Sequence, residues 1–157
     1  MQIGLTGKIK WYEVAETNKT ARALANRHYS RVTPGHPLFV GPGEDRMILL
    51  SSDDMALFVW RKTRFRHDGQ DGIECSIFRN EGDELSSDLI REACILAWER
   101  WPGTRLFSYV NGKKIRSTNP GHCFMMAGWR KEGKSGKGLT ILGILPSYDK
   151  TVTSGGK

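Results

Sequence analysis

The chain has 157 residues, and its 24 lysine and arginine residues outnumber its 17 aspartate and glutamate residues to give a formal net charge of +7. A chain of this length fits one domain that buries roughly 70% of the surface exposed on unfolding, so it needs no disulfide or zinc to fold. We expect neither a secreted nor a membrane protein, because no basic and apolar leader opens the chain and no apolar run approaches ~18 residues. The positive charge makes a polyanionic partner such as nucleic acid plausible.

The cysteines indicate a reducing environment rather than a disulfide framework. Cys75, Cys94 and Cys123 are far apart in sequence, form no C-x-x-C motif, and each lies in an apolar segment. This usage is typical of a cytoplasmic protein. We also expect no metal site.

The first half of the chain predicts one amphipathic helix and three strands around a long loop. The helix is expected over 17–29, where apolar positions recur with helical spacing and His28 continues the same inward face. The loop over 30–44 contains three prolines and three glycines. Strands are expected over 9–14, 46–51 and 55–61, and a Ser-Asp-Asp turn joins the last two as a hairpin.

The second half predicts the rest of an α/β domain. Strands are expected over 73–79, 105–110 and 138–145, and a helix with one broad buried stripe is expected over 89–101. Asn119 suits the N-cap of a further short helix, Pro120 suits its first position, and Gly128 suits the residue after its end. We therefore expect a single domain over 1–146 around one mixed sheet, followed by a disordered tail over 147–157.

One motif and the order of the elements resemble a known family. A strand, a helix of about four turns, a second strand and a short corner helix lead to an aromatic-x-x-x-Gly-aromatic signature at Phe124, Gly128 and Trp129. This arrangement is similar to the second half of the GNAT-type acyltransferase fold, and the similarity covers 20–145. It implies an α+β fold with a central mixed, mostly antiparallel sheet flanked by helices. It also makes 119–129 a structural corner and not a metal cluster.

The segment corresponding to the family's cofactor loop departs from the family pattern. Acyl-CoA enzymes place the diphosphate on glycine-rich amides at the start of the central helix. Here 79–88 read RNEGDELSSD, with one glycine and four carboxylates, at Glu81, Asp83, Glu84 and Asp88. Phe124 also stands where the family has the tyrosine that protonates the departing thiolate. Acetyl-coenzyme A is therefore disfavoured, and the group donor stays open.

The Mom-type DNA-modification proteins of phages, a branch of this fold, resemble the chain in these same departures. The shared features are His28-Tyr29-Ser30 near the end of the first helix, Arg79 at the end of the central strand, and the strand Leu106-Phe107-Ser108-Tyr109. Such proteins add a small carbamoylmethyl-type group to adenine in DNA. The resemblance implies a transferase that modifies a nucleobase in the cytoplasm of a host bacterium. Its catalytic residues would be His28, Tyr29, Arg79 and Ser108.

Further residues are expected to bind the cofactor or the DNA. Those expected to bind the cofactor are Asn80, Ser86, Ser87, Asn119 and Phe124. Those expected to bind DNA are Arg64, Arg66, Lys113, Lys114 and Arg116, which lie in predicted loops and could hold phosphates while a base turns into the pocket. Double-stranded DNA is the expected partner, and a homodimer is left open.

Each assignment has a structural alternative. Arg79 could simply pair with Glu81 or Glu74, Ser108 could be a buried serine bonded to backbone, and His28 could be a satisfied core histidine. The basic loops could be a solvated rim. Two other classes of function remain. One is an acyl-CoA-dependent N-acetyltransferase acting on an amine, and the other is a catalytically silent domain that binds DNA or a host protein.

Overall fold

A computed structural model of the chain describes residues 10–28, 36, 38–41, 43–63, 69–111 and 121–146. Three helices lie in this part of the chain: α1 (Lys19–Asn26), α2 (Ser86–Arg100) and α3 (His122–Met126). Seven strands accompany them: β1 (Trp11–Val14), β2 (Asp45–Ser51), β3 (Ala56–Lys62), β4 (Ile73–Asn80), β5 (Leu106–Val110), β6 (Arg130–Lys134) and β7 (Thr140–Ile144). The predicted tail over 147–157 lies outside the described residues.

The seven strands form one mixed sheet in the order β1-β2-β3-β4-β5-β7-β6. The β4–β5 pair is parallel, and the five other neighbouring pairs are antiparallel. The predicted hairpin at Ser52–Asp54 is confirmed, because β2 and β3 are antiparallel neighbours. The prediction of an α+β domain around one mixed sheet is therefore confirmed.

The parallel pair separates soon after it begins. Helix α2 connects β4 to β5, since parallel neighbours need a long crossover connection. The two strands pair at three positions only, and the last of these joins Cys75 to Ser108. Beyond it, β4 continues beside β3 to Asn80, whereas β5 continues beside β7 to Val110. We call the region beyond the last pair, between 77–80 of β4 and 109–110 of β5, the β4–β5 opening.

A β-bulge in β4 lies next to this opening. Trp60 of β3 lies opposite Cys75, whereas its neighbour Val59 lies opposite Ile77, so Ser76 is an extra residue in β4. An extra residue reverses which side chains face which side of the sheet. Cys75 packs in the core under α2, and Ile77 packs in the core under α1. From Ile77 onwards, the side chains of β4 therefore lie on the opposite faces of the sheet from those they would occupy without the bulge.

Each face of the sheet carries its own apolar core. On one face, α2 and α3 cover a core that includes Trp11, Phe58, Trp60 and Phe124. On the other face, α1 and residues 39–40 cover a smaller core. Helix α1 presents Ala21, Leu24 and Ala25 to this second core, as its apolar spacing predicts. The sheet is thus buried on both sides near its centre.

Strand β6 was not predicted from the sequence. Its residues, RKEGK, fall between the predicted short helix and the strand predicted over 138–145, and they pair with β7 at the end of the sheet. All five residues are exposed, so neither face requires the apolar alternation by which strands are recognised. Gly133 lies next to a register shift in the pairing, where glycine is common.

The short helix α3 begins two residues later than predicted. Gly121, at φ 80°, directly precedes its first residue, His122, so Pro120 is not the first helical position and Asn119 is not the N-cap. A Cβ atom at Gly121 would lie 2.6 Å from the Leu142 side chain. Both this close contact and the positive φ favour glycine at the position. The prediction for the other end is confirmed, because Gly128 has a φ of 102°.

A single carboxylate attaches the segment 38–40 to the sheet. Glu16 Oε2 accepts the backbone N–H groups of Phe39 and Val40 at 2.7 and 2.8 Å, and its Oε1 accepts from Arg46 at 2.7 Å. A glutamine would turn an N–H₂ group towards donors. We expect Glu16→Gln to lower the free energy of unfolding by about 1–3 kcal/mol, measured in urea. Glu13→Gln, which loses one more exposed ion pair with Arg100, should cost less than about 1 kcal/mol. Equal losses in the two variants would contradict this role for Glu16.

Candidate functional site

The described residues predicted to form the site lie at the β4–β5 opening, in two groups on opposite faces of the sheet. Arg79 and His28 lie on the α1 face. The other group, on the α2 face, consists of Asn80, Ser86, Ser87, Ser108 and Phe124. The remaining predicted site residues lie outside the described residues: Tyr29, Arg64, Arg66, Lys113, Lys114, Arg116 and Asn119. Their roles stay predictions.

Ser108 lies where the pairing of β4 and β5 ends. It is opposite Cys75 on one side and Leu142 on the other, and both of these residues pack under α2. Its hydroxyl donates a hydrogen bond to the Cys75 carbonyl at 2.8 Å, and the side chain is buried. The structural alternative, a buried serine bonded to backbone, therefore describes this contact correctly. The same bond fixes the hydroxyl where the pairing of β4 and β5 ends.

Asn80 organises the loop that leads into α2. Its Nδ2 donates to the Glu84 carbonyl at 2.8 Å and to Ser86 Oγ at 2.9 Å, and its Oδ1 accepts from the Gly82 N–H at 3.0 Å. Ser87, in the first turn of α2, is buried. These contacts bring two predicted cofactor residues, Asn80 and Ser86, directly together.

The acidic loop is less negative than its sequence suggests. Glu81 pairs with Arg27 and Arg79, Glu84 pairs with Lys10 at 2.9 Å, and Asp88 pairs with Arg91 at 2.9 Å. Of the four carboxylates, Asp83 has no ion pair with a described cation. The repulsion expected between this loop and a diphosphate is therefore weaker than a count of carboxylates implies. The sequence could not reveal this, because two of the four cations come from the N-terminal 27 residues.

Phe124 serves the packing of the corner helix. Its ring lies 4.9 Å from Trp129 and 5.8 Å from Phe78, centroid to centroid, in edge-to-face arrangements. Phe78 in turn lies on the last part of β4, beside the opening. Phe124 thus contributes an apolar surface on the α2 face of the sheet. Its side chain has no proton to donate.

Arg79 is held at the end of β4 by two contacts. Its Nε donates to Glu81 Oε2 and its Nη1 donates to the Arg27 carbonyl at 2.8 Å. Glu81 is the predicted structural partner, whereas the other candidate, Glu74, pairs with Arg61 instead. The Arg79 side chain is 36% exposed, and its Nη2 has no hydrogen bond to a described residue. One side of the planar fork is therefore committed to the protein and the other side is accessible.

Glu81 forms ion pairs with both arginines of this face, Arg27 and Arg79. Arg27 donates to its two oxygens at 2.7 and 3.0 Å, and the hydrogen bonds from Arg27 and Arg79 lower the pKa of Glu81 to about 2. The three residues carry one net positive charge near neutral pH. Sequence reasoning did not identify Arg27, and its one signal was its position directly before His28.

His28 follows α1 and lies close to Arg79. Burial, followed by the positive charge of Arg79, lowers the pKa of His28 to about 4. The imidazole is therefore neutral at pH 7 and able to accept a proton, but it is not a proton donor at that pH. The helix predicted over 17–29 ends at Asn26, so His28 is not in its last turn, but the residue does lie inward, near Arg79 at the end of β4.

The lowered pKa of His28 makes folding stability depend on pH. Between pH 4 and the usual pKa near 6.5, the unfolded chain binds a proton that the folded chain does not. The free energy of unfolding should therefore rise with pH across this window, and His28 should contribute about 1–2 kcal/mol of that rise between pH 5 and pH 7. Urea titrations at several pH values test this. The variant His28→Asn should lose that rise, whereas His122→Asn, at an exposed position, should retain it; a rise unchanged in His28→Asn would refute the burial argument.

Ser76, the extra residue of the bulge, is a feature that sequence reasoning missed. Its Oγ is buried and has no hydrogen-bond partner among the described residues. A buried hydroxyl without a partner is costly and needs an explanation. No local sequence signal marks it, because a bulge depends on the register with the neighbouring strand.

The three cysteines belong to the core under α2. Burial raises the pKa of Cys94 to about 12 and also raises the pKa values of Cys75 and Cys123, so all three thiols are protonated near neutral pH. Across the described ranges, no group of three histidine, cysteine or acidic residues is arranged to hold a metal ion. None of α1, α2 and α3 combines the length and apolar character that a membrane-spanning helix requires.

These contacts define a site in which a neutral histidine and a partly exposed arginine share one face of the sheet, with a fixed serine hydroxyl on the other. The opening between β4 and β5 lies between the two groups. A comparison with models of known protein families found no match to the chain, and a comparison with curated proteins found no significant match.

Proposed function

We propose that the protein is a group transferase of the GNAT-like, Mom-type plan that modifies a nucleobase in DNA at the β4–β5 opening. The observation that carries the proposal is the early separation of β4 and β5, which leaves Arg79 and His28 on one face of the sheet and Ser108 on the other. Ligands of α/β sheets bind beyond the carboxyl ends of parallel strands, and both strands end here. The +7 net charge supports a polyanionic substrate.

The two faces suit the two substrates of a transfer reaction. In this proposal, the donor and the acceptor meet where the pairing of β4 and β5 ends, and each is bound by a different face of the sheet. Such an arrangement would supply the positioning on which transfer reactions depend. The accessible side of the Arg79 fork fits a carboxylate, carbonyl or phosphate of the donor. The nucleobase would enter from the α2 face after turning out of the duplex.

The titratable residue on the α1 face fits the proton balance of such a transfer. When an exocyclic amine of a base forms a bond to the donor's carbon, the bond between that carbon and its leaving group breaks, and the leaving group departs with the electron pair. The amine also loses a proton, which neutral His28 can accept. Ser108 Oγ can accept an N–H of the same base, because its own hydrogen is directed to Cys75. Tyr29 lies outside the described residues, and its catalytic role stays a prediction.

A second candidate function is acyl-CoA-dependent transfer to an amine. The specific observation that favours it is the neutralisation of Glu81, Glu84 and Asp88 by described cations. No side chain caps the start of α2. The backbone N–H groups of its first turn therefore donate no hydrogen bond to a capping side chain. This candidate differs from the first in its donor and not in the place of reaction.

Nucleoside mass spectrometry of DNA from cells that express the protein tests the first candidate. We expect a nucleoside of increased mass that is absent from cells carrying an empty vector. Unmodified DNA, together with a micromolar dissociation constant for acetyl-coenzyme A by calorimetry, would transfer the assignment to the second candidate. Unmodified DNA with no acetyl-coenzyme A binding would favour the catalytically silent alternative.

A further inference from the structure

The β6–β7 hairpin carries most of the positive charge that the described fold leaves unpaired. Six described cations form no ion pair with a described carboxylate, and four of them lie in this hairpin: Arg130, Lys131, Lys134 and Lys137. The one acidic residue of β6, Glu132, accepts from Arg105 at 2.6 Å. The hairpin therefore has a concentrated positive charge that the neighbouring residues do not neutralise.

The register of the sheet relates this charge to the proposed site. Ser108 of β5 lies opposite Leu142 of β7, and Leu142 lies opposite Lys131 of β6, so Ser108 and Lys131 share a cross-strand row and a face. Thr140 lies opposite Lys134 in the same way, which puts Lys134 on that face too. Two interstrand spacings separate Ser108 from Lys131, or about 10 Å along the sheet. The lysine pair thus flanks the face on which a nucleobase would enter.

Protection of the sheet edge is the simplest alternative explanation. Lysines on an outer strand discourage pairing with other chains, and in the part of the chain described no strand pairs with the outer side of β6. Edge protection accounts for lysines on β6, but it requires neither that Lys131 and Lys134 lack ion pairs with described carboxylates nor that they share one face. A polyanion bound across this face explains both features.

We propose that the β6–β7 hairpin binds the phosphate backbone of duplex DNA beside the nucleotide whose base enters the β4–β5 opening. This inference rests on the proposed function for its choice of DNA. Lysines that neutralise phosphates release counterions, so each contact contributes to the salt dependence of binding and little to sequence preference. Lys131 and Lys134 are the central contacts, and Lys137 in the turn between β6 and β7 is a further one, whereas Arg130, opposite Gly143, lies on the other face.

The test compares two double variants that remove the same charge. Lys131→Gln/Lys134→Gln changes the hairpin, and Lys19→Gln/Arg22→Gln changes α1, which carries the other two unpaired described cations. Fluorescence anisotropy with a labelled duplex oligonucleotide is measured from 50 to 200 mM salt. We expect the hairpin variant to bind at least about tenfold more weakly at 50 mM salt, with a slope of log K against log salt reduced by about 2. The α1 variant should stay within about threefold of the parent.

Three results would overturn the inference. Equal losses in the two double variants would mean that net charge alone matters, and unchanged binding by the hairpin variant would leave edge protection as its role. If the parent protein does not bind the duplex at 50 mM salt, duplex DNA is not the partner of the hairpin. A Lys131→Arg/Lys134→Arg variant with the parent's slope supports the inference, because it keeps the charge.

The outcomes also separate this inference from the proposed function. If the hairpin variant binds and modifies DNA as the parent does, the hairpin role is overturned. The transferase proposal is then unaffected. If DNA stays unmodified but its binding still depends on the hairpin lysines, the hairpin role is supported and the proposed transferase activity is refuted. Melting temperatures of all variants should stay close to that of the parent, since Lys19, Lys131 and Lys134 are exposed and Arg22 is only partly buried.

Discussion

The Arg79→Lys variant should lose at least about 100-fold in the rate of DNA modification while remaining folded. A lysine offers a compact charge instead of a planar fork, so it cannot bind Glu81, the Arg27 carbonyl and a donor group in fixed relative positions. Misplacement of a substrate by about 1 Å is enough for a loss of this size. The measurement is adduct per nucleoside by mass spectrometry at matched protein levels.

Stability provides the control for this variant. Arg79 is partly exposed and retains a positive charge beside Glu81 after substitution, so the free energy of unfolding should fall by no more than about 1–2 kcal/mol. A fully active and stable variant would remove Arg79 from the site, and with it the resemblance on which the roles of Tyr29 and Ser108 depend. A variant that melts far below the parent would make Arg79 a structural residue.

The Phe58→Ala variant should lose about 3–5 kcal/mol of unfolding free energy, the largest stability effect that we expect. Phe58 is fully buried at the centre of β3, and its ring lies 4.6 Å from Trp60 and 5.3 Å from Phe78. It also lies 6.0 Å from Trp11 and 6.5 Å from Phe124, so it joins β1, the end of β4 and the corner helix. An alanine would leave a cavity that rigid strands on both sides cannot close.

Urea unfolding of Phe58→Ala and Leu145→Ala separates burial from residue type. Leu145 is 64% exposed, so its truncation should change stability by no more than about 0.5 kcal/mol. A loss below about 2 kcal/mol for Phe58→Ala would mean that the aromatic cluster repacks around the gap. The corner helix α3 would then be less dependent on β3 than its contacts indicate.

Strong apolar periodicity made most of the fold predictable from the sequence. The stripe of α2, the alternation of Ile73 and Cys75 in β4, and the apolar spacing in α1 each depend on local burial, which spacing reveals directly. Strand β6 was missed because an edge strand with both faces in solvent has no such pattern. The parallel pairing of β4 with β5 was not predictable, because the sequence does not specify which strands become neighbours.

The site was predictable only in part, and for a related reason. His28 and Arg79 could be named from the resemblance, and they do lie close together. Their contacts with Arg27 and Glu81 depend on how α1 lies across the sheet, which no local pattern encodes. The bulge at Ser76 changes the face on which Arg79 lies, and it arises from a mismatch in register with β3 that a single strand cannot reveal.

A double-mutant cycle of DNA modification tests most directly whether the two faces of the sheet serve one reaction at the β4–β5 opening. Arg79→Lys changes the α1 face and Ser108→Ala changes the α2 face, and adduct levels are measured for the parent, each single variant and the double variant. Residues that act together in one step show strongly non-additive losses. We predict that the double variant is no slower than the slower single variant, within about twofold. Losses that multiply would show that the two residues act independently, and this result would contradict a common reaction site at the opening.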